Sequence, residues 1–464
     1  MSCCYDLWAC PEVAASAQLW GSLEARFGAT PRRTAAEPSI IYVLSDDELE
    51  VEPEEEDSDS EPEPLFSRGG AALQQWSLGG WLTRRKLGVR RLHLRFGRCT
   101  SVALPALLGA LEGSRLEDLR ISFPPGGPSS RQRGSGSSGR GSPSSTSSTR
   151  SRGRRVGHSP TPAHWDLVRH LVCLTRLELP WCGLTSLPAG LSALTGLCEL
   201  DVSFNAALGR ASAGALRPLR HLSQLTRLDL SECKLPQRLP LLPELRELHL
   251  RSACLRGREG PSLTLDHHSR LTYLCLNNCG LAQLPPGLSA LGGTLAELDL
   301  NWNTDLLEAE AGGGGTMSLL GHLSALTCLE LARCSLRRVP PSLASLTSLA
   351  RLNLNGNGAL GSGGGSSAAF EPLRSLAGSL TSLQMYECGL QRVPAQLAGL
   401  SRLAQLSLAS NDMLGCQDDG GPVFAALQSL AALTWLRQVC GRELLRGGAQ
   451  VTHPASWAAV GLGS

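Results

Sequence analysis

This 464-residue chain holds 16 cysteines, ten histidines and 41 acids, residue types able to do covalent or metal chemistry. Their spacing does not assemble them into a reacting centre. There is no C-x-x-C pair, no H-E-x-x-H pattern and no G-x-x-x-x-G-K-S/T loop, and no G-x-G-x-x-G follows a strand-like segment. His267 and His268 adjoin Asp266, but neighbouring side chains do not automatically converge on one ion. Cys275 and Cys279 are four positions apart, and a repeat already accounts for Cys279. The glycines around Gly312 and Gly363 read as insertions between repeats. Cys182, Cys233, Cys279, Cys334 and Cys388 recur regularly, which points to buried thiols of a reducing compartment rather than a disulfide framework. The expectation is a non-enzymatic chain with no cofactor and no metal.

The regular cysteines belong to a larger period. A pattern L-x-x-L-x-L-x-x-C/N begins at Leu174, Leu197, Leu225, Leu245, Leu271, Leu295, Leu326, Leu349, Leu380 and Leu403. Alternation at L-x-L calls for a short strand with leucines inward, and the Cys or Asn side chain then packs or hydrogen-bonds beneath the following turn. A second apolar half, often L-P-x-x-L-x-x-L, returns the chain to the next strand. No unit can bury its own apolar face, so stability comes from stacking. The motif resembles the leucine-rich repeat. That resemblance implies an α/β fold: a leucine-rich repeat solenoid, a curved horseshoe with parallel strands on its concave face. Short units carry the cysteines; long units carry Asn205, Asn303, Asn357 and Asn411, with Ala253 as the exception. Duplication of paired units of about 50 residues explains the alternation.

Composition shifts divide the chain into six parts. Residues 1–30 read as a short helical segment and 31–70 as a disordered acidic linker. Residues 71–123 read as an N-terminal cap with the first degenerate repeats, around Leu92-x-Leu94 and Leu119-x-Ile121. Residues 124–162, with seven Arg and no acid among Ser and Gly, read as a disordered insertion inside one solenoid. The main array spans 163–440, and 441–464 is a C-terminal cap or tail. Twelve acids fall between Asp46 and Glu63, so the net charge of +2 conceals 43 basic against 29 acidic residues elsewhere, or +14. The total therefore says little about partners.

The recognition surface is expected on the strands. One column beside the central strand leucine reads Glu178, Asp201, Asp229, His249, Cys275, Asp299, Glu330, Asn353, Gln384 and Ser407. An adjacent column carries Trp181, Phe204, Glu232, Ser252, Asn278, Trp302, Arg333, Gly356, Glu387 and Ser410, with Tyr386 next to Glu387. Aromatic residues beside carboxylates suit a protein ligand, and the carboxylates favour one with a basic segment. The expected protein-binding residues are Glu178, Trp181, Asp201, Phe204, Asp229, His249, Asp299, Trp302, Glu330 and Tyr386.

The run QLWGSLEARFG near the amino terminus places Trp20, Leu23 and Phe27 on one helix face, with Trp8 upstream. It resembles the carboxy-terminal end of an F-box, although the usual opening Leu-Pro and first helix are absent. The resemblance implies that Trp8, Trp20, Leu23 and Phe27 contact a Skp1-type adaptor, as in a substrate receptor of a cullin–RING ubiquitin ligase. Ile40, Ile41, Val43 and Leu44 precede four polar or acidic residues and resemble a SUMO-interacting motif, an aliphatic strand that adds to a partner's sheet edge. The Arg-rich insertion offers weak charge attraction to RNA or an acidic membrane, without the aromatic interleaving that stacks on bases. No Lys or Arg precedes Arg26, and no run of 18 apolar residues is present. These features suit the cytoplasm, with the nucleus as a second compartment; repeat resemblance also permits a cytoskeletal or ciliary axonemal scaffold. No obligate homo-oligomer is expected.

Overall fold

A computed structural model describes residues 4–5, 39–43, 87, 89–95, 104–123, 162–209, 214–234, 239–253, 255, 263, 265–307, 316–361, 367–414 and 425–437. The chain divides into two compact units, 1–225 and 226–464.

From β3 onward each repeat motif generates one short strand. The first unit carries β1 (Cys4–Tyr5) and β2 (Ser39–Val43), which lie outside the repeats, then β3 (Arg91–Arg95), β4 (Asp118–Ser122), β5 (Arg176–Glu178) and β6 (Glu199–Asp201). β1 and β2 are antiparallel, and every later pairing is parallel and in sequence order. The second unit carries β7 (Arg227–Asp229), β8 (Glu247–His249), β9 (Tyr273–Cys275), β10 (Glu297–Asp299), β11 (Cys328–Glu330), β12 (Arg351–Asn353), β13 (Ser382–Gln384), β14 (Gln405–Ser407) and β15 (Trp435–Arg437). They form one parallel ladder in chain order. Register is set by the central leucines: Leu274, Leu298, Leu329, Leu352, Leu383 and Leu406 are successive partners.

The return halves are mostly 3-10 turns, as at Ala189–Ala193, Pro286–Leu291, Pro341–Ser345 and Ala395–Gly399. Proline fixes φ at the start of each and lacks an N–H that would go unpaired there. Their leucines meet the strand leucines in a core that is almost wholly aliphatic; Leu288, Leu298, Leu343, Leu352 and Leu397 are all buried. Parallel strands force every connection to cross back over one face, so the sheet keeps a single free face.

Ser39–Val43 lies inside the segment read above as a disordered acidic linker, and it is a strand. Its backbone pairs with β3 through Ile40–Leu92 and Tyr42–Leu94, and with β1 through Ile41–Cys4. Ile40, Ile41 and Val43 of the SUMO-type motif are therefore already in a ladder, and adding them to a partner's sheet edge requires release of those pairings. Leu44, Trp8, Trp20, Leu23 and Phe27 lie outside the described residues, as does most of the Arg-rich insertion.

Candidate recognition surface

Beneath each strand-to-return turn runs a polar ladder. Asn303 is wholly buried, yet all its hydrogen-bonding capacity is used. Its Nδ2 donates to the carbonyls of Leu276 (2.9 Å) and Leu300 (2.8 Å), and its Oδ1 accepts from the amides of Cys279 and Leu281, both at 3.1 Å. Asn357 and Asn411 repeat the arrangement one pair of units later each time. The alternating cysteines also reach back one unit. Cys279, Cys334 and Cys388 direct Sγ at the carbonyls of Leu250 (2.9 Å), Leu300 (3.2 Å) and Leu354 (3.1 Å). A buried amide or carbonyl without a partner is costly, so the ladder is what permits the chain to turn inside the core.

The turn above the ladder has a fixed backbone. Trp181, Phe204, Glu232, Ser252, Asn278, Trp302, Arg333, Glu387 and Ser410 all have φ between 53° and 63°, and Gly356 has φ 71°. The column read as a second strand flank is thus the left-handed residue of the turn. An L-residue there costs roughly 1–2 kcal/mol. Its side chain is directed away from the strand, so large rings remain exposed: Trp181 by 37%, Phe204 by 38% and Trp302 by 51%.

The strand flanks themselves are two columns, and only one was anticipated. In it, Asp201, Asp229 and Asp299 each accept the amide two residues ahead, at 2.8 to 2.9 Å, and Asn353 does the same. These side chains form the turn. Glu178 is almost buried and lies between Arg120 (3.1 Å) and Arg176 (2.6 Å). The missed flank holds Arg176, Glu199, Arg227, Glu247, Tyr273, Glu297, Cys328 and Arg351. Its arginines neutralise carboxylates along and across strands: Arg176 with Glu199, Arg227 with Glu247, and Arg351 with Glu297 at 2.7 Å. The residue preceding the second leucine of each motif was the signal for it. The His249 ring lies 4.8 Å from that of Tyr273, tilted by 35°, and burial, with Arg227 nearby, lowers its pKa. Among the described residues no group of three or more His, Cys, Asp or Glu is placed to hold a metal ion.

The aromatic residues form two separate features. In the first unit Trp181 and Phe204 stack at 4.5 Å with planes 9° apart. In the second, the Arg333 guanidinium lies 4.7 Å from the Trp302 ring centre and its Nη2 binds Glu387 at 3.0 Å. Arg333 crosses Gly356 to get there: a Cβ on Gly356 would stand 2.5 Å from Arg333 Cγ. Tyr386, exposed by 37%, adjoins Glu387.

A periodic parallel ladder, a buried Asn/Cys ladder under its turns and an aliphatic return layer leave one description. The fold is a leucine-rich repeat solenoid. No protein-family model matches the chain. The volume-regulated anion channel subunit LRRC8A of Homo sapiens is 29% identical over 252 residues, covering 53% of this chain and 29% of that protein. The Mus musculus protein matches over the same shares. The chain thus spans under a third of the length of these relatives. Among solved structures, a leucine-rich repeat protein of Leptospira interrogans aligns over 78% of this chain and 93% of its own, with 15% identity and a TM-score of 0.37. Among the described residues no helix is long and apolar enough to cross a membrane.

In the leucine-rich repeat ladder the thiols are inert. Burial pushes Cys334 and Cys388 up to about 12 from the ordinary 9, and raises Cys182 as well. The folded thiol holds its proton where the unfolded one loses it, so this contribution is intact below about pH 9 and lost as pH rises above it. Two outcomes are expected. A disulfide reagent at pH 8 labels exposed Cys173 and spares Cys334 and Cys388, as read by peptide mapping. The urea midpoint falls between pH 8 and pH 11, and a flat profile contradicts the account.

Proposed function

We propose that this chain is a non-enzymatic protein-recognition scaffold that binds its partner across the strand face of its repeats. The observation that carries the reading is the set of large aromatic side chains, Trp181, Phe204 and Trp302, kept exposed at a strained backbone position that glycine fills more cheaply. Exposed Trp and Tyr beside Arg match the residue types that dominate binding energy. The partner on this reading carries a basic segment, met by carboxylates such as Asp299 and Glu330. The test is proximity labelling in cells with the full chain, Trp181→Asp and Trp302→Asp. Partners shared by all three chains place recognition elsewhere; partners lost with either substitution support the strand face.

A second reading rests on Trp20, Leu23 and Phe27 in the run that resembles an F-box end. It makes the chain a substrate receptor of a cullin–RING ubiquitin ligase. A Skp1-type adaptor is then captured by the full chain and lost with the triple substitution W20A, L23A and F27A; failure to capture it sinks this reading and leaves the first untouched.

A further inference from the structure

The strand face is not uniform, and one stretch of the second unit combines everything a docking segment needs. At its edge stand Trp302 and Tyr386, exposed by 51% and 37%. They belong to repeats three strands apart, from β10 to β13, a span of roughly 14 Å. About four residues of extended chain cover that distance. Between them the floor is low. Gly356 has no side chain, and Arg333 lies across it with its guanidinium held by both the Trp302 ring and Glu387. The shelf is therefore fixed before any partner arrives, which spares the ordering cost of long side chains on binding.

Charge selects the occupant. Glu387 neutralises Arg333 and Arg351 neutralises Glu297. Asp299 and Glu330, register partners on β10 and β11, have no cation within ion-pair distance among the described residues. Their neighbours are amides and two thiols: Asn277 Nδ2 donates to Asp299 at 3.2 Å, Asn301 Nδ2 to Glu330 at 3.3 Å, Asn353 Nδ2 to Glu330 at 2.5 Å, Cys275 Sγ to Asp299 at 3.4 Å and Cys328 Sγ to Glu330 at 3.9 Å. Asp299 lies three residues before Trp302, and Glu330 is its register partner on the next strand.

Resting on the strand-face reading above, we infer that the shelf from Trp302 to Tyr386 receives an extended protein segment whose lysine or arginine seats over Asp299 and Glu330, with apolar side chains against the two rings. Trp302 supplies area, and the carboxylates supply sign. Neither substitution needed to test this should unfold the chain. Trp302 is half exposed, and Asn at 299 can keep the turn bond, because Asn353 makes the same bond in its own repeat.

A random dodecapeptide display library selected on the full chain provides the probe. Selected peptides should carry Lys or Arg together with an apolar residue. Trp302→Ala should weaken them by about tenfold or more, the scale of a binding hot spot. The double substitution D299N and E330Q should abolish the preference for Lys and Arg while leaving the dependence on Trp302. Peptides that bind, ignore both changes and are lost with Trp181→Ala overturn the shelf and leave strand-face recognition standing. Selection of no peptide sensitive to any of these substitutions overturns both.

Discussion

Asn303→Ala should destabilise the second unit by about 3–5 kcal/mol, more than loss of any ladder cysteine. The wild-type side chain donates two hydrogen bonds and accepts two, all with backbone groups inside the core. Alanine removes all four bonds; the Leu300 carbonyl keeps the Cys334 thiol, while the Leu276 carbonyl and the Leu281 amide lose their partner where water does not reach, because position 303 is wholly buried. Each such group costs about 1–3 kcal/mol, with partial relaxation keeping the total below the sum. Cys334→Ala is the internal comparison. Its thiol reaches the Leu300 carbonyl at 3.2 Å, so its loss should cost about 1–2 kcal/mol. Urea denaturation followed by tryptophan fluorescence ranks the two, since Trp302 adjoins the site. If N303A is no worse than C334A, the four-bond account is wrong.

The same ladder explains why short and long repeats alternate. Asn in a long unit reaches back to cap the turn of the preceding short one, as Asn303 does for Cys279 and Leu281. Cys in a short unit reaches back to a single carbonyl of the preceding long one, as Cys334 does for Leu300. The two side chains satisfy different numbers of groups, so the pair of repeats is the unit of polar satisfaction. Where Ala253 replaces Asn, the preceding turn loses its cap, and the Cys233 amide bonds to the Leu230 carbonyl of its own turn instead.

What the sequence disclosed follows from what is periodic. Leu274, Leu298 and Leu329 announce strand, inward face and register together, because one apolar residue per repeat at a fixed offset admits no other packing. Asn303 and Cys334 were legible for the same reason. The left-handed backbone at Trp302 was not legible, since offset alone does not reveal that the chain has turned by that residue. Glu178 was read as an available carboxylate, yet Arg120 comes from β4, across an insertion of 39 residues or so that no local pattern bridges. Asp299 and Glu330 differ from Glu178 in part through their own strands, where Glu297 and Cys328 stand in place of Arg176, and in part through what neighbouring strands bring, which is a property of the stack. The run at Ser39–Val43 was legible as an aliphatic strand but not its pairing inside this chain, because its partners Cys4–Tyr5 and Arg91–Arg95 lie far off in sequence.

Gly389→Ala should cost on the order of 3–4 kcal/mol, most of it from contact rather than conformation. Gly389 has φ 66°, but the position itself tolerates a side chain: Ser335 follows Cys334 as Gly389 follows Cys388, and it has φ 57°. The left-handed backbone therefore accounts for roughly 1–2 kcal/mol. The remainder is steric. A Cβ on Gly389 would stand 2.2 Å from the Gly358 carbonyl oxygen, a backbone atom of the preceding repeat. Gly361 returns the contact, since its own Cβ would meet the Gly389 oxygen at 2.1 Å while its amide donates to the Cys388 carbonyl at 3.0 Å. Two turns are interlocked there, and relieving one clash pushes the other repeat off the Asn411 and Cys388 ladder. Gly183→Ala isolates the conformational part, because Gly183 shares φ 66° and has nothing within 4 Å of its would-be Cβ. Hydrogen exchange should show lost protection across β12 to β14 in G389A and a local change alone in G183A. Equal costs for the two would mean that the turns yield freely, and that repeat stacking at this point is looser than the interlocked glycines require.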